Sequence, residues 1–227
     1  MPSNEAVAIV NDDTSEQQVW SEVVKDAGFR PVVLKGPFND ASQMAVAIEA
    51  TAVFAICDHR LSPKNLAQFY GASAVAEMTR RGKVAALLVT HYLESDADIS
   101  IRRYRRNIPV LLRELPPPES MPDVFNRCRE EVQGNVPANR RPWRTLIRVV
   151  GTSREQGTEL VEAVIPAWNP ETIVRFPVEL VREDLRKTMK SGLRLFARVN
   201  VGAEDAKDLF LDSFEPAPEA NPDDGLA

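Results

Sequence analysis

Cysteine and histidine are both scarce in this chain of 227 residues, which contains two of each. Zinc fingers, disulfide frameworks and multi-histidine metal centres all need more of these side chains, so the sequence excludes such sites. The cysteines are Cys57, in an apolar run, and Cys128, in an amphipathic one, and no neighbouring group would activate either thiol. We expect both to be packed in the core.

Long apolar runs are also missing. None approaches the roughly 20 residues that a membrane span requires, and residues 1–5 lack the basic and then apolar plan of a signal peptide. The net charge of −5 is small, which argues against general polyanion binding. We therefore expect a cytoplasmic protein that uses neither membranes nor nucleic acid as partners.

What the first half does contain is a regular alternation of short apolar runs and amphipathic stretches. Continuous apolar runs of this length are typical of strands buried on both faces, which only helical crossovers can join in parallel. Thr14 or Ser15 can cap the first helix. Residues 1–135 are thus predicted to form an α/β domain with a doubly wound, five-stranded parallel sheet, its strands at 6–10, 31–34, 52–57, 84–89 and 108–112.

Polar side chains follow four of these five predicted strands. Asp12 and Asp13 follow the first, Asp58 the third, Thr90 the fourth and Arg113 the fifth. The carboxyl ends of parallel strands meet at one edge, where ligands of such sheets bind. Three carboxylates there repel one another unless a cation lies among them, and carboxylate oxygens with water suit Mg²⁺. A hydroxyl and a guanidinium nearby suit the oxygens of a phosphoryl group.

In this pattern, residues 5–133 resemble a response-regulator receiver domain of the CheY-like superfamily. The resemblance implies a flavodoxin-like sheet of order 2-1-3-4-5 and a phosphoacceptor at Asp58, which would take a phosphoryl group from a sensor histidine kinase. It also implies that Mg²⁺ is bound by Asp12, Asp13, Asp58 and the backbone carbonyl of Arg60.

Thr90 and Arg113 complete the implied site. Thr90 would follow the phosphoryl group and convert its presence into movement, and Arg113 stands where the family has a lysine. Arginine keeps the charge but presents a wide planar fork, and Glu114 follows it, so the exchange is not neutral. The alternative is a non-phosphorylated pseudo-receiver that acts as an adaptor or regulatory subunit of a partner enzyme. Neither hypothesis makes the protein an enzyme.

The two histidines, His59 and His91, directly follow Asp58 and Thr90. They could form a pH-sensitive rim or supply metal ligands. Because successive strand residues face opposite ways, we instead expect each to point away from its neighbour's site. Positions two beyond the acceptor and the threonine, Arg60 and Tyr92, are expected to shield the phosphoryl group from water.

Four arginines lie among the five residues from Arg102 to Arg106, the densest basic stretch of the chain. A solvated helix end would accommodate them, because arginine opposes the negative pole of the helix dipole. The stretch could also bind an acidic partner, and receiver domains dimerise through this region. We expect a protein contact here, with a homodimer as one form of it, and we rank nucleic acid last.

The second half has a different pattern. Residues 136–143 are predicted to be a linker, residues 144–214 a small, mostly antiparallel β domain built as a barrel or sandwich, and residues 215–227 a disordered acidic tail. This half contains no histidine, cysteine or glycine-rich phosphate loop, so we expect the domain to contact a partner protein. Five aromatic residues are expected in its core: Trp168, Phe176, Phe196, Phe210 and Phe214.

Overall fold

The structure, a computed structural model, describes residues 5–62, 66–91, 96–155 and 157–218. The chain divides into two compact units, the first ending at Val136 and the second beginning at Pro137. In the segment predicted as a linker, a short 3₁₀ turn spans Ala138–Arg140, and the first strand of the second unit already begins at Trp143.

The first unit is built on five parallel strands in the order β2-β1-β3-β4-β5. This order confirms the predicted doubly wound, flavodoxin-like sheet. All five side chains of β1 and of β4 are buried, as expected of strands covered by helices on both faces. The strands are β1 (Ala6–Val10), β2 (Arg30–Val33), β3 (Phe54–Asp58), β4 (Ala85–Val89) and β5 (Val110–Leu112).

The helices of this unit alternate with its strands. They are α1 (Thr14–Asp26), α2 (Ala41–Glu49), α3 (Gly71–Arg81), α4 (Asp96–Arg102) and α5 (Met121–Val132). Helix α3 ends at Gly82, which has a φ of 73°, a left-handed conformation that glycine adopts without strain. The helix predicted over 95–106 is shorter than expected, since α4 ends at Arg102 and a 3₁₀ turn follows at Arg105–Asn107.

Two apolar cores lie on opposite faces of the parallel sheet. One packs α2 and α3 against it through residues such as Met44 and Val75. The other packs α1 and α5 against it, with the Phe54 and Phe125 rings stacked at a centroid distance of 4.4 Å. Cys57 lies in the first core and Cys128 in the second, which confirms that both thiols are buried.

The second unit is an antiparallel sheet of order β10-β9-β6-β7-β8. Among the described residues its strands pair into this one sheet, with β10 and β8 at the edges, which confirms the predicted mostly antiparallel β domain. The short helix α6 (Glu183–Arg186) lies between β8 and β9. The strands are β6 (Trp143–Glu155), β7 (Thr158–Ile165), β8 (Asn169–Pro177), β9 (Arg194–Val199) and β10 (Leu211–Pro216).

One face of this sheet carries the core of the second unit. Phe176 and Phe214 stack there at 5.4 Å, and the Trp168 indole, packed at its border, donates a hydrogen bond to the Ala203 carbonyl at 2.8 Å. Phe196 does not belong to this core: it is only half-buried, because strand alternation places it on the opposite face.

The predicted tail begins later than expected. Glu215 and Pro216 pair with β9 as the end of β10, so they are ordered by the sheet. Residues 219–227 lie outside the described residues. Over the part of the chain that the structure describes, no helix is long and apolar enough to cross a membrane.

Candidate functional site at the carboxyl edge of the parallel sheet

Strand register brings three of the predicted site residues to the same edge of the sheet. Asp58 of β3 lies opposite Val89 of β4, which lies opposite Leu112 of β5. Thr90 and Arg113 each come one residue beyond this row, on adjacent strands. Thr90 is buried, and its backbone N–H donates to the Leu112 carbonyl at 2.9 Å, which fixes its position beside β5.

Asp58 is largely but not completely buried at this edge. Burial, together with the nearby negative charges of Glu16 and Asp12, raises its pKa from 3.8 to about 6. The backbone N–H groups of His59 and Arg60 oppose this shift, and the Arg60 N–H donates to Asp58 Oδ2 at 3.0 Å. The carboxylate is therefore held in an environment that disfavours its charge.

Asp13 has a structural role that the sequence reasoning did not predict. Its carboxylate caps α1, where Oδ1 accepts from the backbone N–H of Ser15 at 2.8 Å and of Glu16 at 3.2 Å. Aspartate is among the best N-cap residues, because its oxygen satisfies amides that have no partner within the helix. This corrects the cap predicted at Thr14 or Ser15, while the assignment of Asp13 as a magnesium ligand stays a prediction.

Glu16 is a site residue that the sequence reasoning missed. It lies in the first turn of α1, and its charge, like that of Asp12, is close enough to raise the pKa of Asp58. Buried Asn11 holds the arrangement: its Nδ2 donates to Glu16 Oε2 at 2.7 Å, and its Oδ1 accepts from the Asp13 N–H at 2.7 Å. The i, i+4 spacing of Asp12 and Glu16 was the available signal.

The carboxylates do not form a ready-made metal cage. Across the described ranges, no group of three or more His, Cys, Asp or Glu side chains is arranged to hold a metal ion. Mg²⁺ commonly keeps several waters and uses one or two carboxylates, however. Asp58 and Asp12 meet that smaller requirement, since Asp12 is close enough for its charge to raise the pKa of Asp58. The donor chemistry therefore fits a water-rich magnesium site.

Arg113 lies at the same edge and is exposed to solvent. It follows β5 directly, as predicted, so its guanidinium is carried on the strand next to Thr90. Tyr92, predicted to shield the site together with Arg60, lies outside the described residues.

His59 points away from this edge, as expected. Its buried ring stacks on Tyr70 with a centroid distance of 4.9 Å, and its Nε2 is 2.9 Å from the Ser100 hydroxyl. Burial, together with the positive charge of Arg60, lowers its pKa to about 4. His59 is therefore a neutral core residue between α3 and α4, while His91 is exposed.

Gly71 fixes the approach of α3 to the acceptor strand. Its N–H donates to the His59 carbonyl at 2.9 Å, and a Cβ at this position would lie 1.9 Å from the Asp58 carbonyl oxygen. No side chain fits such a gap, so only glycine allows the helix to begin here.

The basic stretch Arg102–Arg106 is less exposed than predicted. Arg102 and Arg105 are buried, and Arg105 Nη1 donates to the Ile108 carbonyl. Only Arg103 and Arg106 present their charge to solvent. The helix ends at Arg102 and the chain turns inward, so half of the expected basic surface is absorbed by the fold.

Comparisons with known proteins give a likeness to solved structures alone: no family model and no curated protein matches the chain. A receiver domain protein from Methanospirillum hungatei is 15% identical, with a TM-score of 0.42, over 58% of this chain and 98% of that one. The receiver domain of a sensor histidine kinase from Pseudomonas aeruginosa, with magnesium in its active-site cleft, is 16% identical, with a TM-score of 0.43, over 55% and 97%.

NtrX from Brucella abortus is 13% identical, with a TM-score of 0.43, and the match covers 58% of this chain but only 28% of NtrX. These likenesses concern fold alone. The predicted flavodoxin-like fold of the first unit rests on its own strand order, β2-β1-β3-β4-β5.

Proposed function

We propose that the chain is a response-regulator-like signalling protein in which Asp58 accepts a phosphoryl group from a sensor histidine kinase. The observation that carries this proposal is the row of strand ends, where Asp58 lies beside Thr90 and faces Asp12. An acceptor, a hydroxyl and a second carboxylate at the carboxyl edge of a parallel sheet are the groups that phosphoryl transfer to aspartate needs.

The chemistry asks little of the protein beyond position and charge. A carboxylate oxygen of Asp58 attacks the phosphorus of a phosphohistidine, and the P–N bond breaks as the new O–P bond forms. At neutral pH most Asp58 is ionised, because its pKa of about 6 lies below 7. The acceptor carboxylate is thus charged at neutral pH, and burial disfavours this charge in the unreacted protein.

Mg²⁺ would be held by Asp12 and Asp58, with the Arg60 carbonyl as a further ligand. When bound, it would neutralise the carboxylates and the phosphoryl oxygens. Thr90 would donate its hydroxyl to the attached group, and Arg113 would place a positive charge on the neighbouring strand. The second unit would contact a partner protein.

The test is labelling with acetyl phosphate and Mg²⁺, followed by intact mass spectrometry. We expect one added phosphoryl group, stable to acid and released by hydroxylamine, that Asp58→Ala lacks. Asp26→Ala is the matched control, because Asp26 is exposed at the far end of α1. If no donor gives an adduct, or if Asp58→Ala is labelled equally, phosphorylation at Asp58 is refuted.

Arg113 favours a second candidate, the non-phosphorylated pseudo-receiver that binds a partner enzyme. Its guanidinium is exposed, and its planar fork is a poor substitute for a compact ammonium at a crowded phosphoryl site. This candidate predicts that Asp58→Ala and wild type bind the partner equally, with or without acetyl phosphate. Binding that strengthens only when Asp58 is phosphorylated would exclude it.

A further inference from the structure

Four arginines occupy one face of the antiparallel sheet, and we name them the arginine face: Arg144 and Arg148 of β6, and Arg194 and Arg198 of β9. The register sets Arg144 directly opposite Arg198 and Arg148 directly opposite Arg194. The pair Leu146 and Phe196 lies between them, half-buried. The alternate residues of the same strands form the core on the other side.

Arginines elsewhere in this sheet lie opposite acids. Arg154 of β6 lies opposite Glu159 of β7, and Arg175 of β8 lies opposite Glu162. Like charges directly opposite each other destabilise a sheet, whereas opposite charges stabilise it. The arginine face is therefore an exception within its own domain, and folding alone does not account for it.

The domain's own acids compensate this charge only in part. Glu215 lies 3.3 Å from Arg144, and Asp212 lies opposite Arg198 at the edge strand. Among residues 5–62, 66–91, 96–155 and 157–218, the side chains of Arg148 and Arg198 take part in no hydrogen bond or ion pair. Both are exposed, so their guanidiniums are available to another molecule.

We propose that the arginine face binds an acidic, extended segment of a partner protein. This inference rests on the part of the proposed function that assigns partner contact to the second unit, and it names the surface and the chemistry of the partner. Guanidiniums bind carboxylates through two parallel hydrogen bonds. Affinity is therefore highest for a partner that places an acidic side chain against each arginine pair.

The composition of the face favours protein over nucleic acid. Its cations are all arginine, the residue enriched in protein interfaces, where lysine is depleted. The only aromatic ring in it, Phe196, is covered by the Arg144 guanidinium at 3.6 Å, so the ring offers no open platform for stacking a base. The chain's net charge of −5 also opposes a polyanion more than a short acidic segment.

The spacing of the arginine pairs defines the segment. Arg144 and Arg148 are four residues apart on one strand, which separates the two pairs by about 13 Å. An extended partner spans that distance with acids at positions i and i+4. Its residue i+2 points the same way and meets the apolar pair Leu146 and Phe196.

The test uses a fluorescent peptide with the central sequence Glu-Thr-Val-Thr-Glu, measured by fluorescence anisotropy. We expect it to bind wild type and to lose about tenfold or more in affinity with Arg148→Glu/Arg198→Glu. The matched control is Lys187→Glu/Lys190→Glu, which changes the net charge equally at exposed positions outside the strands. This control is expected to bind as wild type does.

Arg148→Gln/Arg198→Gln removes the charges without reversing them, and it keeps the test valid if the reversed variant does not fold. Undetectable binding to wild type, or equal binding to the neutralised variant, overturns the inference. So does tighter binding of a (dT)-oligonucleotide than of the peptide. Asp58→Ala is expected to bind the peptide normally, so failure of Asp58 phosphorylation and failure of this inference are distinguishable.

Discussion

The buried charge of Asp58 makes a prediction about stability that does not depend on any phosphate donor. Asp58→Asn removes the charge while keeping the size of the side chain and an oxygen that can accept from the Arg60 N–H, as Asp58 Oδ2 does at 3.0 Å. The variant is expected to be more stable than wild type at neutral pH, because ionised Asp58 is penalised by burial, Glu16 and Asp12.

The magnitude follows from the shift in pKa, from 3.8 to about 6. Two pKa units correspond to about 3 kcal/mol, and the solvent that still reaches the carboxyl reduces this to about 2 kcal/mol. Between pH 3.8 and 6 the folded protein keeps a proton that the unfolded chain has lost. Wild type therefore loses stability, relative to Asp58→Asn, as pH rises through this window.

Urea unfolding without divalent cations, followed by the circular dichroism of the helices, measures this difference. The signal reports the first unit, because α6 is the only α-helix in the described part of the second. We expect the two proteins to differ little near pH 4 and by about 2 kcal/mol near pH 7. Asp26→Asn, at an exposed position, should show no such trend.

Magnesium supplies the second arm of this experiment. An ion that binds the folded protein alone stabilises it, by about 1.4 kcal/mol at ten times its dissociation constant. Near pH 7.5, Mg²⁺ should therefore stabilise wild type and leave Asp58→Asn nearly unchanged. A stability difference that does not vary with pH, or an equal effect of Mg²⁺ on both proteins, would refute this account of the site.

Three further predictions concern other parts of the fold. Gly71→Ala forces a Cβ against the Asp58 carbonyl oxygen, so the free energy of unfolding, measured in urea, should fall by about 3 kcal/mol or more. His59 has a pKa of about 4 in the folded protein, so near pH 5 the unfolded chain binds a proton that the folded protein does not. His59→Phe removes this penalty, and its free energy of unfolding should exceed that of wild type by about 2 kcal/mol near pH 5 and by less near pH 7.5. Arg148→Gln/Arg198→Gln removes the repulsion within two like-charge pairs, so thermal unfolding at low salt should show a free energy of unfolding higher by up to about 1 kcal/mol.

Much of the first unit was predictable because its sheet is covered on both faces. Strands such as β1 must then be apolar throughout, and their ends mark the edge where polar residues collect. The register of β3, β4 and β5 confirms that edge. Only one sheet edge receives the carboxyl ends, so the residue order along the chain was sufficient to place Asp58 and Thr90 together.

The predictions that the structure corrects share one physical origin: they concern side chains that are chemically suited to more than one role. Thr14 and Ser15 are both suitable N-cap residues, but Asp13 caps the helix because its carboxylate accepts from the amides of Ser15 and Glu16. Arg102 and Arg105 suit a solvated helix end, but the turn after α4 buries them. Local pattern shows what a side chain can do, and competition among neighbours decides which of those roles it takes.

The antiparallel unit shows a different limit. Alternation predicted strands such as β9, where every second side chain is buried, but the number of sheets depends on which distant strands pair. Alternation also fixes what lies opposite the core, and that is where the arginine face arises: Phe196 was assigned to the core as an aromatic strand residue, yet its neighbours Leu195 and Ala197 occupy it. Phe196, which was predicted to lie in the core, thus lies at the centre of the arginine face, a surface that folding alone does not explain.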